Sequence, residues 1–192
     1  VITVSRFDPF RPPKPNRIRN LTGKTMEIKR IISGGQTGAD RAALDVAIRL
    51  GIPHGGWVPK GRRAEDGRIT DRYHLKEMPS GHYWKRTQQN VLDAEGTLII
   101  SHGKLKGGSA LTLKLARKHG RACLHVNLDQ LSVAEGARQI RSWIKAQAIT
   151  VLNVAGPRAS EAPQIYREAT ATLVKALAET PERTNQENSL DG

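Results

Sequence analysis

Eight consecutive residues, Gly34-Gly35-Gln36-Thr37-Gly38-Ala39-Asp40-Arg41, carry the clearest chemistry in the chain. The apolar run Ile31-Ile32 leads into them through Ser33, and Ala43, Leu44, Ala47 and Ile48 follow at helical spacing until Gly51. That pattern predicts a buried strand, a glycine turn and a helix N-terminus. Free backbone N–H groups and the positive end of the helix dipole meet at such a point, and glycine lets an anion approach the backbone. The glycines do not follow the G-x-G-x-x-G of dinucleotide-binding turns. Asp40-Arg41 stands where a Walker A loop needs Lys followed by Ser or Thr. A second reading stands beside the anion site: Thr37 and Asp40 match a capping box, which stabilises a helix in any protein. Asp40 is also the best-placed carboxylate for acid–base work.

A second glycine turn spans Gly103 to Ser109 and opens a helix predicted from Ala110 to His119. Ser109 and Thr112 offer hydroxyls, while Lys60, Arg63 and Arg158 offer positive charge to a phosphate. The ligand-binding candidates are therefore Gly34, Gly35, Gln36, Thr37, Gly38, Asp40, Lys60, Arg63, Gly107, Gly108, Ser109, Thr112 and Arg158. Trp57 ends a predicted strand and reads either as a stacking platform for a heterocycle or as core. Arg86 and Asn90 sit four apart on one helix face, and Ser101 and Asn127 close two predicted strands; all four are further pocket candidates. The six histidines show no metal-ligand spacing, so no protein–metal site is expected. Cys123 is the only cysteine, which excludes an internal disulfide, and its apolar surroundings suit an inert thiol.

Positioning these loops requires a repeated strand–helix alternation. The first strand and helix are followed by a short strand from Ile52 to Val58 and a long charged loop to about Pro79. Ser80 then caps a helix with Tyr83, Trp84, Thr87, Val91 and Leu92 on one face. Thr97 to Ser101, Ala122 to Leu128 and Thr150 to Val154 read as buried strands. Ser132 with Glu135 forms a capping box before a helix carrying Val133, Ala137, Ile140 and Ile144. A closing helix turns Ile165, Ala169, Leu173 and Leu177 inward, and Trp143 covers either the sheet or a subunit contact. Five β-α units predict an α/β, Rossmann-like three-layer sandwich around a mainly parallel sheet of about five strands. The unusual residues all follow strands, where open parallel sheets bind ligands, and the loops at the opposite edge are short.

The 192 residues carry 31 Lys and Arg against 18 Asp and Glu, a formal net charge of +13. Six of the cations, against Asp8 alone, precede Met26, so the remainder is itself basic. That field favours anionic partners, whether phosphorylated small molecules, nucleic acid or a membrane surface. Residues 1–25 combine Pro9, Pro12, Pro13 and Pro15 with basic residues and read as a disordered or loosely docked arm. Residues 26–179 read as one domain, and residues 180–192 as a polar tail. No stretch is long and apolar enough to span a bilayer and no apolar signal core opens the chain, so no membrane partner and a cytoplasmic location are expected.

With both glycine turns in view, the sequence resembles the molybdenum carrier family within the Rossmann-like SLOG superfamily. The matching stretches are Ile32 to Asp45, Gly56-Trp57-Val58-Pro59-Lys60-Gly61-Arg62, Glu65-Asp66-Gly67, Arg86 to Val91, Gly107 to Thr112, and Asn153 to Arg158. The resemblance covers about Lys29 to Leu177 and leaves the arm outside. It implies self-association as dimers or tetramers and a pocket floored by the two glycine turns. Its implied ligand is the molybdenum cofactor, a pterin with a phosphate; a nucleotide would satisfy the same residues. SLOG relatives of the Lonely Guy type are phosphoribohydrolases with a P-G-G-x-G-T-x-x-E loop. Here Lys106 replaces the Pro, Ala110-Leu111 the Gly-Thr, and Lys114 the catalytic Glu. That departure favours a carrier over such an enzyme, with Asp40 or Glu65 as the carboxylate that would have to substitute. DNA-binding SLOG proteins supply a third expectation, nucleic-acid binding.

Overall fold

The computed structural model describes residues 18, 19 and 25–178. The arm and tail read from the sequence lie largely outside those residues. Inside the arm only Ile18–Arg19 is described besides Thr25, and it pairs antiparallel with Thr25–Met26.

Five strands form the main sheet: β1 (Arg30–Ile32), β2 (His54–Gly55), β3 (Gly96–Ser101), β4 (Ala122–Asn127) and β5 (Val151–Ala155). All pair in parallel, in the order β4-β3-β5-β1-β2. The last strand therefore inserts at the centre. Leu152 lies opposite both Ile31 and Gly96, and Asn153 opposite both Ile32 and Thr97. Five helices accompany the sheet among the described residues: α1 (Ala39–Arg49), α2 (Tyr83–Leu92), α3 (Gly107–Lys118), α4 (Val133–Ala146) and α5 (Ile165–Leu177).

Helices α1, α4 and α5 cover one face. Their Ala43, Ala47, Ile140, Ile144 and Leu173 share a core with Leu98, Ile100, Val126, Leu152 and Val154. Helices α2 and α3 cover the other face more thinly, through Val91, Leu115 and Ala116, with Leu111 and Cys123 packed alongside. Trp143 packs against the larger core, so it covers the sheet. The sandwich follows from the strand composition: every residue of β3 is buried, which requires helices on both faces.

Several local expectations change. The second strand is cut at Gly56; His54–Gly55 joins the sheet, while Trp57–Val58 pairs with Lys76–Glu77 in the long loop. The helix expected from Ala110 begins at Gly107, so the second glycine turn is the first turn of α3. Helix α2 is preceded by His82 rather than capped by Ser80. Its Tyr83 and Trp84 are about half exposed, because only Asn90 and Val91 of α2 are buried. The capping box at Ser132 and Glu135 is present, with both reciprocal bonds made. The one read at Thr37 and Asp40 is not: Gly38 holds the N-cap position without a side-chain bond, and Thr37 is turned to other partners. Gly38 must be glycine there, since its φ is 73° and a Cβ would lie 2.4 Å from the Pro157 carbonyl oxygen.

The candidate site between two helix starts

Strand order creates the site. The chain leaves β1 for α1 on one face and leaves β3 for α3 on the other, with the end of β5 between them. Helix starts diverge at such a point and leave a crevice beyond the carboxyl ends of the strands. A cavity of about 500 Å³ opens there. Gln36 and Asp40 line it from the first glycine turn and α1, and Gly107, Gly108, Ser109 and Thr112 from α3. The segment from Gly81 to Trp84, with Arg86 and Thr87, closes a third side, and Gly156, Arg158 and Glu161 a fourth.

Asp40 is 3% exposed and lies 3.3 Å from Arg86. Burial lifts its carboxyl above the ordinary 3.8, opposed by the Arg86 charge and by the Gln36 backbone N–H. Arg86 Nε is buried and has no hydrogen-bond partner. Across the cavity Arg158 pairs with Glu161 at 3.2 Å. Each arginine of the cavity thus faces an acid, and the uncompensated positive potential is that of the α3 N-terminus. Its N-cap, Lys106, makes no side-chain bond, and nothing stands within 4 Å of a Cβ placed on Gly107 or Gly108.

The first glycine turn is packed by the protein's own groups. Gly34 abuts the Arg86 guanidinium, while Gly35 meets Leu75, Ile69 and Val58 and accepts from Arg41 through its carbonyl. Gln36 Oε1 accepts from the Thr37 and Glu65 backbone N–H groups. The Thr37 hydroxyl donates to Glu65 and accepts from the Ala159 N–H. Glu65 also accepts from the Ser160 N–H at 3.1 Å and the Ser160 hydroxyl at 2.5 Å. Burial raises the Glu65 carboxyl, but the bonds from Ser160 and Thr37 outweigh it and hold the group below 4.5. Asp66 pairs with Arg41 at 3.1 Å, so the two neighbouring acids diverge.

Of the remaining candidates Thr112 lines this cavity, Ser101 lines a neighbouring one, and the others fall elsewhere. Lys60 and Arg63 are exposed and stand outside this cavity, although Arg63 reaches its rim at Gly81. Thr112 donates to the Gly108 carbonyl at 2.9 Å. Trp57 lies away from the crevice, its ring nitrogen on Asp93 at 2.7 Å, and Asn90 bonds both the N–H and the C=O of Trp57. Ser101 bonds His125 at 2.8 Å, and Asn127 accepts from the Gly103 N–H at 2.8 Å. Lys114 is exposed on α3. Burial pushes the Cys123 thiol up to about 11, as an inert thiol requires. Sequence reasoning missed Tyr83, Trp84 and Glu161 as wall residues. The signal for the aromatics was in α2 itself, which carries too few aliphatic residues to bury a wide face.

No group of three or more metal-ligating side chains converges among the described residues. None of the described helices is long and apolar enough to cross a membrane.

A parallel three-layer sandwich with a cavity at the carboxyl edge of the sheet defines a Rossmann-like α/β protein. The chain belongs to the circularly permutated YpsA SLOG family, whose model matches residues 31–177. It is similar to the crystal structure of a "Putative molybdenum carrier protein" from Syntrophus aciditrophicus SB. The two are 58% identical, the match covers 79% of this chain and 96% of that one, and the TM-score is 0.78. No curated protein matches the chain.

Proposed function

We propose that the protein binds and carries a phosphorylated heterocycle, the molybdenum cofactor or a nucleotide, in the cavity between the first glycine turn and α3. The observation that carries this reading is the bare start of α3. Gly107 and Gly108 face the cavity with no side-chain cap and with open space around them. A phosphate there would receive backbone N–H bonds and the helix dipole, with Ser109 as a further donor. Tyr83 and Trp84, half exposed on the same cavity, offer apolar faces to a ring. Arg86, whose buried Nε lacks a partner, suits a polar edge of that ring or a phosphate oxygen. The similar Syntrophus aciditrophicus protein is named a molybdenum carrier, which agrees with this choice of ligand.

The test is calorimetry with nucleoside monophosphates and with a pterin phosphate, on the parent protein and on Gly108→Asp. An acid in the first turn of α3 meets no clash and suits the helix dipole, so the fold should persist. Phosphate affinity should fall at least about tenfold through like-charge repulsion. Saturable binding that Gly108→Asp leaves unchanged would place the ligand elsewhere.

A second reading, a nucleotide-processing enzyme, draws on one observation: Asp40 lines the cavity with its carboxyl lifted by burial, as a general acid needs. Release of free base from a nucleoside monophosphate, lost in Asp40→Asn, would establish it. Self-association and a nucleic-acid role for the basic arm are further proposals. Light scattering tests the first, and salt-dependent DNA retention with and without residues 1–25 tests the second.

A further inference from the structure

A second cavity of about 420 Å³ lies on the other side of the α3 start. The two cavities share Ser109 and Glu161. Each alone falls within the range that encloses a small ligand. The second is lined by His102, Lys104, Leu105 and Lys106 from the β3–α3 loop, and by Pro157 and Ala162 beyond β5. Ser109 is the informative residue of the divide. It is 5% exposed, lines both cavities, and its hydroxyl makes no hydrogen bond among the described residues. That leaves the hydroxyl free to bond a ligand lying across the divide.

We infer that the two cavities are halves of one site, and that its ligand is a pyrophosphate-bridged molecule with a ring system at each end. This rests on the function proposed above and narrows the class of ligand. The bridge would lie over Gly108 and Ser109, where the helix start offers its N–H groups. The charge distribution suits two phosphates better than one. Lys104 and Lys106 border the second cavity and form no ion pair among the described residues. Glu161, the acid on the divide, is matched by Arg158 at 3.2 Å. The end groups face different walls. The first cavity offers the Tyr83 and Trp84 rings, and the second the aliphatic surface of Leu105, Pro157 and Ala162. On the far wall His102 bonds Asp129 at 2.8 Å, and its other ring nitrogen lies 2.7 Å from Glu168.

Binding of AMP, ADP, diadenosine pyrophosphate and flavin adenine dinucleotide to the full chain tests the inference by calorimetry. At least one of the two bridged molecules should bind ten or more times more tightly than AMP and ADP. Leu105→Trp and Ala162→Phe each fill the second cavity from a different segment. Each should erase that advantage while leaving mononucleotide affinity within twofold. Equal affinities for bridged and unbridged probes, or an advantage that survives in both variants, overturn the inference and leave the carrier reading standing. If no probe of either kind binds, this inference and the nucleotide form of the proposed function fall together. Should both variants fail to fold, the comparison among probes on the parent protein still decides.

Discussion

Arg86 Nη1 lies 3.3 Å from Asp40 Oδ2, across 46 residues of sequence, and Gly34 is what makes room for it. A Cβ at position 34 would stand 1.5 Å from that same nitrogen and 2.8 Å from the Asp40 oxygen. The first glycine of the turn therefore serves a buried ion pair. The pair joins α1 to α2 across the floor of the cavity, and it explains why a charged residue sits on the most buried part of α1.

Loss of that contact has a calculable sign. Gly34→Ala drives the guanidinium out, and Arg86→Met removes it; either leaves a buried carboxylate uncompensated. Breaking a buried pair from one side costs about 3 kcal/mol or more, read as a lower urea midpoint. Burial holds the Asp40 carboxyl above 3.8 in the folded protein. A raised folded value means that its contribution is fully present below 3.8 and is lost as pH rises through the folded value. Relative to Asp40→Asn, the parent should lose stability as pH rises from about 4. In Arg86→Met, where the opposing charge is gone, that loss should be larger and extend to higher pH. A stability difference that stays flat with pH would remove burial as the cause.

What the sequence showed of all this depended on whether the signal was local. The strand runs Thr97 to Ser101 and Ala122 to Leu128, and the helix face of Ile165, Ala169, Leu173 and Leu177, are dictated by periodicity and appear within a residue or so. The Ser132 capping box is equally local. Thr37 and Asp40 have the same spacing of types, yet both are taken by partners far along the chain, Glu65 and Arg86. Tertiary contacts of that kind leave no trace in a local pattern. Tyr83 and Trp84 failed for a related reason, since apolar residues at helical spacing mark a core face and a ligand wall alike. The convergence of the two glycine turns followed from their shared place after strands. Only the central position of β5 explains why they open on one crevice.

Glu65 fastens the tip of the hairpin Arg63–Ala64/Gly67–Arg68 onto Thr37 and Ser160. Those bonds hold its carboxyl below 4.5, so the stabilisation is present above 4.5 and is lost as pH falls through the folded value. Glu65→Gln keeps the size and removes the charge that strengthens the bonds. Trypsin cleavage after Arg63 or Arg68 should accelerate about fivefold, the population change for about 1 kcal/mol of local opening. Protection of the Ser160 amide, relative to its intrinsic exchange rate, should fall in the parent as pH drops below 4.5 and be low at all pH values in the variant. Unchanged cleavage would mean that Asp66–Arg41 alone secures the tip.

Arg62 organises the long loop from within. Its guanidinium donates to the carbonyls of Ile69 at 3.0 Å, and of Leu75, Thr70 and Tyr73 at 2.9 Å each. The residue is 6% exposed and adopts a φ of 50°, an uncommon conformation for a side chain of this size. Four carbonyls around one planar cation cannot be served by a lysine ammonium in the same geometry. Arg62→Lys should therefore destabilise the protein by about 2 kcal/mol and Arg62→Met by about 3 kcal/mol or more. Loss of protection for amides 69–76 in hydrogen exchange should accompany either change. A benign Arg62→Lys would show that charge alone, without the fork, holds these turns.

Asn90 separates a structural role from a ligand-binding one. Its Oδ1 accepts the Trp57 N–H at 2.7 Å and its Nδ2 donates to the Trp57 carbonyl at 3.1 Å, so the side chain replaces a neighbouring strand where Trp57–Val58 has left the sheet. The residue is 2% exposed, and water has little access to replace either bond. Asn90→Asp keeps the acceptor and loses the donor, leaving the Trp57 carbonyl to face a buried carboxylate. Asn90→Leu loses both bonds. A buried group left unpaired costs about 1–3 kcal/mol, so each variant should lower the urea midpoint, with Asn90→Asp recovering at low pH as the carboxyl becomes a donor. Because Asn90 does not line the cavity, the affinity of the folded fraction for a phosphorylated ligand should stay within twofold of the parent. A tenfold fall in affinity with unchanged stability would instead make Asn90 part of the binding surface, and Trp57 with it.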